Sequence, residues 1–127
     1  MGPVNWLAVF LATNFATALR IVWYGPLAGR NTLIREAGQP TRRYGWAGMV
    51  LLLFLSAAML GHMFARVQPS KPWLYLMMSA GIALFYITPA LWLAYGRRGI
   101  PTSHTVFEAG YWLVAYLAMG ATFMGLA

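Results

Sequence analysis

The sequence predicts an all-α integral membrane four-helix bundle with both termini on the outer side. Three observations carry this. The chain is 61% hydrophobic and only 9% charged, whereas soluble domains carry roughly 25% charged residues. Four apolar runs each reach the length of about 20 residues that a helix needs to cross a bilayer. The basic residues gather in the connectors between those runs, which is how membrane proteins distribute them. No run alternates with period two, and each is about twice the length of a barrel strand, so helices are the reading.

A single transmembrane domain over residues 1–127 follows, with helices at about 3–24, 44–65, 73–95 and 103–126. The first run has no basic segment before it and is too long for a signal-peptide core, so it reads as a retained span. It ends at Gly25-Pro26. "LAGRNTLIREAG" follows, and two readings stay open for it. Leu33, Ile34 and Ala37 form one face of a short interfacial helix, or the stretch is an irregular basic loop.

The second run carries a small-residue stripe, Ala57, Gly61 and Ala65, that permits close helix approach. "VQPSKPW" then makes a tight turn. Pro89 in the third run predicts a kink. "GRRGIPTS" closes that run and offers Thr102 or Ser103 as an N-cap for the fourth. Ala121 and Gly125 repeat the small stripe there. Trp6, Trp23, Tyr24, Tyr44, Trp46, Trp73, Tyr75, Trp92 and Tyr95 lie near run ends, as an aromatic belt at headgroup level.

Charge sets the expected orientation. The first connector holds Arg30, Arg35, Arg42 and Arg43, and the third holds Arg97 and Arg98. The second holds only Arg66 and Lys71. Connectors one and three share a side, which the positive-inside rule assigns to the cytoplasm. The net charge of +7 therefore points to anionic lipid headgroups and not to nucleic acid.

Arg20 is the one basic residue inside a run. It sits about four residues before the cytoplasmic end, roughly 6 Å deep. Glu108, the one acidic residue inside a run, is expected at similar depth in the fourth helix. Three readings stay open. Arg20 snorkels to the headgroups, or it forms an ion pair with Glu108 that joins helices one and four, or Glu108 is neutral and hydrogen-bonded elsewhere. Thr13 and Thr17 share a face with Arg20, and Asn14 lies beside it. Such residues usually bond across helices. They are read here as polar packing, with ligand lining as the other reading.

Chemistry-bearing residues are few. There is no cysteine and no aspartate. The acids are Glu36 and Glu108, and Glu36 lies in a connector. His62 and His104 are expected at opposite membrane faces, so they cannot share a metal or haem. His104 and Glu108 are spaced to interact along one helix. No nucleophile elbow, phosphate loop or metal-ligand spacing is present. The expectation is therefore no enzyme, no metal and no cofactor.

Three stretches carry a family resemblance: "VNWLAVFLAT" at 4–13, "WYGPL" at 23–27 and "FEAGYWLVAYLAMGA" at 107–121. The chain resembles the bacterial membrane family known as domain of unknown function 1761. That resemblance implies a four-helix plan, a place in the bacterial cytoplasmic (inner) membrane, and signature positions at Trp23, Tyr24, Gly25, Pro26, Ala109, Gly110, Tyr111 and Trp112. It implies no activity. The chain departs from the family pattern in having arginine where small residues are commoner and Glu108 where asparagine is commoner, which suggests an ion pair peculiar to a subfamily.

The leading expectation is a non-catalytic membrane protein, a structural or accessory subunit packed in a homo-oligomer or a larger membrane complex. The alternative is a small oligomeric transporter or channel subunit that uses Glu108.

Overall fold

A computed structural model describes residues 3–29 and 45–127. All elements among the described residues are helical, and four helices are long and apolar enough to cross a membrane. Helix α1 is Trp6–Tyr24. Asn5 caps it, its side chain accepting from the Ala8 amide at 3.1 Å, which satisfies one of the orphan donors of a helix start. α1 stops at Gly25. A β-carbon there would sit 2.7 Å from the Ile21 carbonyl oxygen, so only glycine fits. Pro26–Ala28 then makes one 3-10 turn. Most of the stretch read as an interfacial helix or loop, with Arg30, Arg35, Glu36, Arg42, Arg43 and Tyr44, lies outside the described residues.

Helix α2 is Gly45–Val67. It ends in a left-handed cap at Gln68, with φ +50°, whose amide donates to the Phe64 carbonyl at 2.9 Å. Helix α3 is Pro72–Arg97, and Pro72 sits in its first turn, where a missing N–H loses nothing. Helix α4 is Thr102–Gly125. Its N-cap is Pro101, with no side-chain cap bond. Thr102 and Ser103, read from sequence as caps, are the first helical residues instead.

Pro89 disturbs α3 as a π-turn over Ala83–Ile87. Proline has no N–H for the carbonyl four residues back, so the helix widens before it. The Thr88 hydroxyl donates to the Ala83 carbonyl at 2.8 Å and occupies an acceptor in the widened turn.

α4 lies between α1 and α3, and α2 packs chiefly on α1. Of α4's apolar stretch 44% is buried, against 11% for α3, so α4 is the centre of the bundle and α3 its edge. The core joins Ala8, Ala12 and Ala16 of α1 to Leu53, Ala57 and Leu60 of α2 and to Tyr111, Ala115 and Met119 of α4. Gly61 is buried, and a β-carbon there would lie 2.8 Å from the Val9 side chain. On α4 the close approach is at Gly120, where a β-carbon would lie 2.9 Å from the Tyr75 carbonyl oxygen and collide with the Ser79 hydroxyl. Ala121 and Gly125, read from sequence as the packing stripe, are exposed. Large apolar side chains point outward on every helix, among them Phe10, Met59, Phe85 and Leu93.

Candidate functional site

The two charges that lie inside apolar runs, expected at similar depth, come together. Arg20 Nη1 is 3.4 Å from Glu108 Oε1, with the side chains 15% and 8% exposed. This is longer than the 2.7–2.9 Å of a tight charge-assisted bond, so the pair does not hold the site alone. The Arg20 guanidinium carbon lies 4.8 Å from the Tyr24 ring centroid and 4.9 Å from that of Tyr111. An arginine between two rings away from water gains about 2 kcal/mol or more from their π faces. Glu108 is held in turn by Trp112, whose indole N–H donates to the same Oε1 at 3.0 Å.

The signature segments supply the frame. Trp23 donates its indole N–H to the Phe107 carbonyl at 3.0 Å. Its ring lies over Gly110, where a β-carbon would sit 3.1 Å from it. Tyr24 meets Phe107 edge-on, with centroids 5.4 Å apart. The Tyr111 hydroxyl donates to the Ala16 carbonyl at 2.9 Å, crossing from α4 to α1 one turn above Arg20. The two segments, 84 residues apart at the Trp23–Phe107 bond, are thus two halves of one joint. Pro26 starts the turn that follows, and Ala109 is half-buried without a specific polar contact.

Phe107 was not legible as a site residue. Its backbone carbonyl does the bonding, and an apolar residue in a span gives no sign of that. The Tyr24 hydroxyl was also unforeseen. It is buried and has no hydrogen-bond partner among the described residues. Among those residues Ser79 on α3 is in the same condition.

The three polar residues of α1 bond differently from expectation. Thr13, Asn14 and Thr17 bond back within α1, to the carbonyls of Val9, Phe10 and Thr13, each at 2.8 Å. A hydroxyl four residues on reaches its own helix more easily than a neighbour. Asn14 faces outward and is exposed. His62 bonds the Ala58 carbonyl through Nδ1 at 2.8 Å and stands edge-on to Trp6. His104 lies at the other end of the bundle, in the first turn of α4. Among the described residues no three of His, Cys, Asp and Glu come together.

Chemically, the joint fixes one charge against another and shields both with aromatic rings. No curated protein and no solved structure matches the chain. The family model described as protein of unknown function (DUF1761) matches residues 7–124. That match takes in both segments of the joint, and the chain belongs to this family.

Proposed function

We propose that this chain is a non-catalytic integral membrane subunit of the bacterial cytoplasmic membrane that assembles with a second copy of itself through the outward face of α1. The observation that carries the reading is Asn14. It sits near the middle of a 19-residue helix, exposed, with one amide proton bonded to the Phe10 carbonyl. Its other proton and its oxygen face outward into what would be hydrocarbon, where unsatisfied polar groups are expensive. Around it, Leu7, Phe10, Ala18 and Ile21 are exposed on the same face, at steps of three, four, four and three residues. This is the spacing of a helix–helix seam with one polar residue that fixes its register. A two-fold partner brings a second Asn14 to the first, and each satisfies the other.

The Arg20–Glu108 joint supports a structural role for the carboxylate, because Glu108 is engaged by Arg20 and Trp112 at once. In this reading α1 carries both functions, one face locked to α4 and the other offered to the second copy.

The test is oligomer size in mild detergent and in bilayers, by light scattering and single-molecule photobleaching. The wild type is expected to be dimeric. Asn14→Leu should weaken the dimer about 3- to 30-fold, the range that one interhelical polar contact gives. A wild type that is monomeric at every protein-to-lipid ratio sinks the proposal. Glu108→Gln separates it from the transporter reading. A structural carboxylate lowers the melting temperature on mutation. A transport carboxylate loses proton-driven flux in liposomes while the fold holds.

A further inference from the structure

At the end of the bundle opposite Arg20 lies a partly open cavity of about 350 Å³, within the size range of small-ligand sites. Three helices give it an aromatic wall: Phe64 of α2, Tyr75 of α3 and Phe123 of α4. Phe64 stands 4.8 Å from Tyr75 and 5.3 Å from Phe123 between ring centroids. Gly61 lines it toward the middle of the bundle, and Gln68 and Pro69 line it at the helix ends. The seven residues from Gly61 to Gln68 make it roughly 10 Å deep along the helix axis.

Gln68 is the informative residue. It holds a left-handed backbone, φ +50°, in a helix cap where glycine is the usual occupant. A side chain there strains the backbone, and such strain is retained where the side chain is needed. The Gln68 side-chain amide makes no hydrogen bond to any described residue. Asn5, the other amide at this end, is consumed, accepting from Ala8 and donating to the Leu126 carbonyl at 3.1 Å. Arg66 and Lys71, both exposed, flank the Gln68–Pro69 turn.

The cavity is therefore graded: aromatic within, an amide at the mouth, and two cations two and three residues along the chain from that amide. That is the polarity order of a phospholipid from acyl chain through ester to phosphate. We infer that this cavity holds one anionic phospholipid, with the upper acyl segment between Phe64, Tyr75 and Phe123, the ester region at Gln68, and the phosphate between Arg66 and Lys71. The inference rests on the membrane reading above but not on the dimer.

The experiment is thermal melting of the full chain in maltoside micelles with added dioleoylphosphatidylglycerol, dioleoylphosphatidylcholine or glycerol phosphate. Phosphatidylglycerol should raise the melting temperature by about 5 °C, the scale that a bound ligand in excess produces, and phosphatidylcholine by less. Glycerol phosphate should do nothing. Ala65→Trp, which fills the cavity from its α2 wall, should abolish both rises. Joint Arg66→Gln and Lys71→Gln should erase the preference for the anionic lipid alone. Gln68→Gly should leave the lipid-free protein as stable or more so while reducing the lipid rise.

An undiminished rise in a folded Ala65→Trp protein overturns the inference, as does an equal rise with glycerol phosphate. If Ala65→Trp does not fold, native mass spectrometry decides, since wild type should retain phosphatidylglycerol that the double glutamine variant loses. Equal retention overturns the inference. Asn14→Leu should keep the full lipid rise, so a failed dimer and a failed lipid site are told apart. Release of the chain from membranes by alkaline carbonate would sink the membrane reading itself.

Discussion

Tyr24 carries two opposite effects in one side chain. Its ring stacks on the Arg20 guanidinium and meets Phe107, while its buried hydroxyl bonds no described residue. An unmade buried hydrogen bond costs about 1–3 kcal/mol. Tyr24→Phe keeps the ring and removes the orphan, so it should be neutral or stabilising by up to about 2 kcal/mol. Tyr24→Ala should destabilise by about 3–5 kcal/mol. Thermal melting of both variants in detergent checks the pair of signs; a destabilised Tyr24→Phe means the hydroxyl has a partner.

The charges allow a related test. Arg20→Glu and Glu108→Arg should each lower stability by about 3–5 kcal/mol, because each strands a buried charge. The double swap should restore only part, because it places a carboxylate between two π faces that attract a cation. Full rescue would show that the rings contribute little. The pairing was legible as one of three open readings, since one acid and one base lie inside apolar runs at similar expected depth. The aromatic sandwich was not. It depends on which way Tyr24 and Tyr111 turn about their helices, and spacing along one helix does not set its rotation against another.

At the scale of the element, α3 is governed by Pro89. The π-turn adds one residue to a helical turn and so rotates Thr88–Arg97 against the half before it. Pro89→Ala restores a donor for the Phe85 carbonyl and should convert the turn to regular α-helix. The later half then rotates by about 100°, one residue of helix. The chain has no cysteine, so single cysteines report cleanly. A nitroxide attached at Leu93→Cys, a position 73% exposed, should collide often with oxygen dissolved in the lipid in wild type and less often in the Pro89→Ala background. An unchanged collision rate would mean that packing on α4, not proline, sets the turn. Pro89 announced the irregularity but not its form, because proline kinks, bulges and π-turns share one cause. The same limit explains Ala121 and Gly125. A stripe of small residues was visible, but the face that met α3 was set at Gly120 by Ser79 and the Tyr75 backbone.

For the whole molecule, the count of helices was readable from apolar length, and their neighbours were not. Chain order places α4 last, yet it is the centre, between α1 and α3, with α2 on the flank of α1. Orientation is proposed from charge alone and is testable. In intact cells, an impermeant maleimide should label Ser70→Cys in the second connector and spare Thr102→Cys after the third until the membrane is broken. The reverse labelling would invert the topology. The six arginines that bear on it are Arg97 and Arg98 together with four outside the described residues.

The joint between α1 and α4 also has a consequence in time. Arg20 leaves the ribosome 88 residues before Glu108. At translation rates of about 5–20 residues per second, that is about 4–18 s. On the proposed membrane reading, for that interval the first helix lies in the bilayer with an unpaired arginine, held only by its reach toward the headgroups. A chain that stops before α4 keeps that charge unpaired for good. Such a fragment should be cleared by membrane proteases far faster than the full-length protein, and Arg20→Leu should slow its clearance, which pulse-chase labelling would show.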